Sequence, residues 1–162
     1  MDTIRVLVVD DNETNLTIVS SMLRSTGYEI VLAQDGKTAL QILDETNIDI
    51  VLLDVMMPEM DGYQVCERIK SNEKTKDISV IFLTALRDTG DLVRGFNVGG
   101  VDYVTKPFQR EELIARLNNH VQLKVARDLL KRYADEYKNS RNEVMSMLLE
   151  LSKAINKDSM NG

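Results

Sequence analysis

The sequence predicts a doubly wound α/β fold: five parallel strands with helices on both faces, followed by a long C-terminal helix. Three observations carry this expectation. Five short runs are predominantly apolar with no strict alternation, they alternate five times with stretches of helical periodicity, and the links between them are a few residues long. A continuous apolar run fits a strand buried on both faces. Repeated strand–helix units joined by short links assemble as a parallel sheet.

The first strand is "IRVLVV" (4–9), closed by Asp10, Asp11 and Asn12. From Asn15 to Arg24, Leu16, Ile18, Val19, Met22 and Leu23 recur at helical spacing, and Gly27 ends that helix. "YEIVLA" (28–33) is the second strand, and 36–46 a helix with Ala39, Leu40, Ile42 and Leu43 inward. "IDIVLLD" (48–54) is the third strand and 62–72 the third helix. "ISVIFLTA" (78–85) is the fourth strand, with a weaker helical segment at 89–98. "VDYVT" (101–105) is the fifth strand, and a last helix starts near Arg110.

The 162 residues suffice for one ordinary domain and an appendage. No apolar stretch approaches a membrane span, and the N-terminus lacks a signal-peptide pattern, so no membrane association is expected. The one cysteine, Cys66, excludes an internal disulfide, reads as core and fits a reducing cytoplasm. Residues 1–120 hold 12 Lys and Arg against 20 Asp and Glu, while 121–162 hold 8 against 6. A main body with a net charge of −8 is a poor nucleic-acid binder, and no direct nucleic-acid contact is expected.

In an open parallel sheet, ligands bind beyond the carboxyl ends of the strands. Those ends carry Asp10 and Asp11, Asp54, Thr84 and, just past the fifth strand, Lys106. Crowded carboxylates repel, and a cation relieves them. Oxygen-only ligands in small number suit Mg²⁺ or Mn²⁺. A carboxylate can also act as a nucleophile toward phosphorus, giving an acyl phosphate. Such a transfer needs the charge on the moving group neutralised and the group held in line. Lys106 supplies a mobile point charge and Thr84 a hydrogen bond.

The segments "VLVVDDN", "DIVLLDVMMPEMDG", "VIFLTA" and "GGVDYVTKPF", in this order over residues 4–120, resemble the response-regulator receiver domain of two-component signalling. That resemblance implies strand order 2-1-3-4-5, the CheY-like or flavodoxin-like arrangement. It implies Asp54 as the phosphorylated residue. Asp11 would hold Mg²⁺ directly, Asp10 through water, with Asp54 and the Met56 backbone carbonyl completing the set. Thr84, Ala85 and Lys106 would surround the phosphoryl group, with Ala85 small enough to leave the acceptor reachable. The Lys106–Pro107 peptide would be cis. Tyr103 would be a switch residue whose ring turns inward once the Thr84 hydroxyl engages phosphate. One departure is "NVGGVDY", where the family often has alanine and then a second acidic residue. His120, with no acidic or cysteine neighbour at ligand spacing, reads as a solvated helix residue and not as a phosphohistidine.

From residue 121 onward Leu123, Ala126, Leu130, Tyr133, Tyr137, Ser140, Val144, Met147, Leu151 and Ala154 follow an unbroken 3-4 spacing. This is a coiled-coil seam or a long amphipathic helix, and a homodimer through 121–155 is expected. The division is therefore a receiver over 1–120 and a helical extension over 121–162. The function expected is that of a non-enzymatic phospho-acceptor, supporting only its own phosphoryl transfer and slow dephosphorylation. Its partner would be a histidine kinase or phosphotransfer protein. The alternatives are a receiver cut from a longer hybrid histidine kinase or diguanylate cyclase, and an aspartyl-nucleophile phosphatase. The haloacid dehalogenase type of that phosphatase would need Asp-x-Asp after the first strand, and this chain has adjacent aspartates there.

Overall fold

The computed structural model describes residues 3–85 and 89–160. Five strands alternate with five helices: β1 (Arg5–Val9), α1 (Glu13–Leu23), β2 (Glu29–Ala33), α2 (Gly36–Glu45), β3 (Ile50–Asp54), α3 (Gly62–Ser71), β4 (Ser79–Thr84), α4 (Thr89–Asn97), β5 (Asp102–Thr105) and α5 (Arg110–Met160). A short 3₁₀ turn, Arg24–Thr26, follows α1. The strands form one sheet in the order β2-β1-β3-β4-β5, and every pair is parallel.

Alternation of side chains along each strand explains the continuous apolar runs. Leu7, Val9, Val51, Leu53 and Phe82 point to one face, where Ala39 and Leu43 of α2 and Val65, Cys66 and Ile69 of α3 cover them. Val6, Val8, Ile50, Leu52, Ile81 and Leu83 point to the other, beneath Leu16, Val19 and Leu23 of α1 and Leu113, Leu117 and Val121 of α5. Burial pushes the Cys66 thiol up to about 11, in keeping with a core residue.

Capping side chains start the first three helices where the strands hand over. Asn12 caps α1 through the Asn15 amide, Asp35 caps α2 through Thr38, and Asp61 with Gln64 forms a reciprocal capping box on α3. Each such cap is worth about 1 kcal/mol. The hydrogen bond from the Thr38 amide also holds the Asp35 carboxyl below the usual range.

The "NVGG" departure has a steric reason. A Cβ on Gly100 would fall on the Phe82 ring, inside contact distance of Cε2 and 2.8 Å from Cδ2. Phe82 is fully buried, with ring centroids of Tyr63 and Tyr103 at 5.4 and 5.5 Å, so the ring has nowhere to retreat. Gly100→Ala should therefore lower stability by about 1–3 kcal/mol through overpacking. Urea denaturation should show the loss, and Gly100→Ala should cost much less in a Phe82→Leu background than in the wild type.

His120 corrects the sequence reading. It is buried, with Nε2 3.0 Å from Asp102 Oδ2. The α5 periodicity of Leu113, Leu117 and Val121 turns position 120 toward the sheet. Its acidic partner lies at the start of β5, 18 residues upstream and outside any local spacing rule. Asp102 also accepts from Arg116 Nη1 at 2.9 Å.

The chain divides into two compact units, Met1–Lys124 and Val125–Gly162. The first holds the sheet and its covering helices. In the second, the helix bears exposed apolar side chains, among them Leu130, Tyr133, Tyr137, Val144, Met147 and Leu151. No helix among the described residues is long and apolar enough to cross a membrane.

Candidate functional site

Strand register sets the site. Val9 of β1 lies level with Leu53 of β3, so Asp10 and Asp54, each one residue on, emerge side by side at the carboxyl edge. Asp54 is itself level with Leu83, which leaves Thr84 one step beyond it at the end of β4. The Lys106 amide donates to the Thr84 carbonyl at 2.9 Å, bringing the chain after β5 to the same edge. Four successive crossovers thus deliver Asp10, Asp54, Thr84 and Lys106 to one place.

Asp10, Asp54 and Thr84 are buried, whereas Asp11 is exposed. Lys106, its side chain one-fifth exposed, donates through Nζ to Asp54 Oδ1 at 2.9 Å and to Asp10 Oδ2 at 3.0 Å. Asp10 is further held by the Asn12 amide on Oδ1 at 2.9 Å and by Asn15 Nδ2 on Oδ2 at 3.2 Å. Oxygens of Asp10, Asp11 and Asp54 all lie within 4.8 Å of one another. An all-oxygen donor set of two buried carboxylates and one exposed carboxylate fits a hard divalent cation. Met56, two residues past Asp54, is exposed.

The electrostatics follow from burial. Desolvation pushes the Asp54 carboxyl up to about 6; the Lys106 hydrogen bond pulls the other way, and the charges of Asp10 and Asp11 push further up. Lys106 shows the opposite balance. Burial alone would lower its pKa, but hydrogen bonds to Asp54 and Asp10 and their charges together raise it, so it stays an ammonium. A carboxylate that is costly to ionise beside a fixed cation is a group whose charge is best relieved by what binds there.

Ala85, next to Thr84, is exposed, and the Lys106–Pro107 peptide is cis. The Tyr103 ring is turned inward beneath α4, its hydroxyl donating to the carbonyl of Leu92 at 2.7 Å, with that of Asp91 at 3.1 Å. Burial pushes this phenol up to about 12.

Reading the sequence missed several supporting residues. Asn12 and Asn15 brace Asp10, and Asn12 is at the same time the N-cap of α1. Gly62 is another: a Cβ there would strike the Asp54 carbonyl oxygen and come within 2.9 Å of Val55 Cα. The start of α3 can press against the end of β3 only because this residue has no side chain, and the Gly62 amide donates to the Val55 carbonyl at 2.9 Å. Tyr63 was also missed. It is buried, and its hydroxyl donates to the Asp91 carbonyl at 2.9 Å.

Comparison with known proteins agrees with this geometry. The family described as response regulator receiver domain matches residues 6–118. Response regulator PleD of Caulobacter vibrioides is 41% identical over 127 residues, 78% of this chain and 28% of the relative. The DNA-binding dual master transcriptional regulator RpaA of Synechocystis is 40% identical over 113 residues, 70% of this chain and 47% of the relative. The chain thus spans less than half the length of these two curated relatives. Among solved structures, the receiver domain of a sensor histidine kinase from Pseudomonas aeruginosa, with a magnesium ion coordinated in its active-site cleft, is 34% identical. It superposes with a TM-score of 0.69 over 75% of this chain and 99% of that one. By sequence and by fold, the chain belongs to the response regulator receiver domain family.

Proposed function

We propose that the chain is a phosphorylation-controlled switch, with Asp54 as acceptor and a phosphohistidine of a histidine kinase or phosphotransfer protein as donor. A carboxylate oxygen of Asp54 forms the new P–O bond. The P–N bond of the donor breaks, and its electron pair stays on the imidazole. Lys106, already on Asp54 Oδ1, steadies the charge on the transferring group, and Thr84 and Ala85 border the place that it would occupy. Asp11 and Asp54, the Met56 carbonyl and Asp10 through water would hold Mg²⁺, or Mn²⁺. The ion would offset the negative charge of the phosphoryl oxygens. The observation that carries this reading is the buried Asp54 with an ammonium at 2.9 Å and two further carboxylates within 4.8 Å.

The test is the intact mass of the protein after incubation with Mg²⁺ and a small acyl-phosphate donor. Addition of one phosphoryl group that persists supports an acceptor; rapid turnover to free phosphate with no adduct would favour a phosphatase.

Residues 1–120 act as the receiver in this reading, and 121–162 as the helical extension. The extension pairs with a second copy as a parallel coiled coil, with Leu123, Leu130, Tyr137, Val144 and Leu151 at a and Ala126, Tyr133, Ser140, Met147 and Ala154 at d. What supports pairing is an apolar seam that stands exposed, with Leu130 at 69% and Tyr137 at 73% of full accessibility. Glu136 at g would face Arg141 at e of the second copy. An isolated helix with such a stripe is marginal in water and seeks a partner. Light scattering at micromolar concentration should give a dimer for the full chain and a monomer for a version ending at Lys124. A monomeric full chain would overturn this part.

A further inference from the structure

Gly95 lies in the interior of α4, on its buried side. A glycine there weakens a helix by about 1 kcal/mol relative to alanine, so its presence asks for a reason. A Cβ on Gly95 would fall on the Tyr103 hydroxyl oxygen, with Cζ of the same ring 2.7 Å away and Phe82 Cε2 at 3.1 Å. The place a methyl group would take is thus occupied by the end of the Tyr103 side chain. From there the hydroxyl reaches the Leu92 and Asp91 carbonyls one turn earlier in α4. The walls of this seat are aromatic: Phe82 behind, with Phe96 edge-on at a centroid distance of 5.2 Å. Tyr63, whose hydroxyl shares the Asp91 carbonyl, closes it from α3.

We infer that Gly95 is a positioning residue of the switch: its missing side chain is the seat that admits the Tyr103 ring, and any side chain there holds the ring out. The regulatory part of this inference rests on the proposed switch role of Thr84 and Tyr103. The seat itself rests on the steric geometry alone. The clash falls on the far end of a side chain that can rotate away and not on backbone, so the relief is ejection of the ring and not rupture of the helix.

The test compares the full chain with Gly95→Ala, Tyr103→Leu and the double variant. In NMR spectra of the wild type, Tyr103 ring protons should show contacts to Leu92 and Gly95. In Gly95→Ala these contacts should vanish, while phosphoryl uptake at Asp54 stays within about twofold of wild type, since the new methyl group meets Tyr103 and Phe82 and no residue of the acidic site. Added phosphodonor should then leave the α4 and β5 resonances of Gly95→Ala unmoved, in contrast to wild type. Thermal midpoints give a readout that a merely structural glycine would not produce. Gly95→Ala should raise the midpoint in the Tyr103→Leu background, where helix propensity is opposed only by the 3.1 Å approach to Phe82 Cε2, and should fail to raise it in the Tyr103 background. Ring contacts that persist in Gly95→Ala would overturn the seat. So would a methyl group that costs as much in the Tyr103→Leu background as in the Tyr103 background, because Phe82 and not the tyrosine would then be what it meets. If Tyr103 signals stay fixed in phosphorylated wild type, the switch reading and the regulatory part fall, and the ring contacts of Gly95→Ala still decide the seat.

Discussion

Asp54→Asn will take up no phosphoryl group from a small acyl-phosphate donor and, in metal-free buffer above pH 6, will be more stable than the wild type. The first result follows from chemistry: an amide lacks the carboxylate nucleophile, and of the two buried carboxylates bonded to Lys106, Asp10 belongs to the acidic pair while Asp54 faces that pair from another strand end. Full labelling of the variant by intact mass would sink the mechanism. The second result follows from linkage. The Asp54 carboxyl is raised from 3.8 to about 6, desolvation being the largest cause. The native state therefore holds its proton to higher pH than the unfolded chain does. Stability is greatest below the unfolded value, declines as pH rises through the folded one, and stays reduced beyond it. A tenfold change in proton affinity corresponds to about 1.4 kcal/mol, so removing this burden should add about 1–3 kcal/mol at pH 8 and nothing at pH 3. Urea midpoints of both proteins across that range measure it. A variant no more stable at pH 8 would mean that Lys106 already compensates the charge in full.

Lys106→Ala carries the opposite sign. It leaves Asp10 and Asp54, both buried, without the ammonium that now bridges them at 3.0 and 2.9 Å. Removing one partner from a buried ion pair is costly because the remaining charge is stranded. With Lys106 one-fifth exposed, water relieves part of this, and a loss of about 2–4 kcal/mol at pH 8 is expected. The same substitution lifts the Asp54 carboxyl further above its ordinary range. As pH falls, Asp54 takes up a proton and the defect shrinks, so wild type and variant should converge toward pH 4. A deficit that is equally large at pH 4 and pH 8 would point to lost packing against Phe108, over whose ring the ammonium lies at 5.9 Å, and not to charge. Phosphoryl uptake should fall with it, as the only ammonium bonded to Asp54 among the described residues is gone.

The burial behind both effects is also what makes the acceptor legible in the linear sequence. The strand Ile50–Asp54 is apolar on both faces because α1 and α5 cover one side and α2 and α3 the other, so the charge at its carboxyl end stands out. Parallel connectivity then forces the strand ends to a common edge, and Asp10, Thr84 and Lys106 could be placed there from chain order alone. The helices were readable for the same local reason: 3.6-residue periodicity and capping side chains act within a few positions.

Distance along the chain marks where this legibility stops. His120 and Asp102 are partners across 18 residues, and Tyr63 and Asp91 across 28, so nothing within one helical turn or one hairpin announces them. The glycines are harder still. Gly62 stands at a helix start and Gly95 inside a weak helix, and only the Asp54 carbonyl and the Tyr103 hydroxyl, lying where their side chains would be, account for them. Periodicity, capping and strand-end charges are short-range properties that a linear string carries in full. The absence of a side chain becomes informative only when three dimensions bring another atom into the space it leaves, and that is decided by packing between elements far apart in the chain.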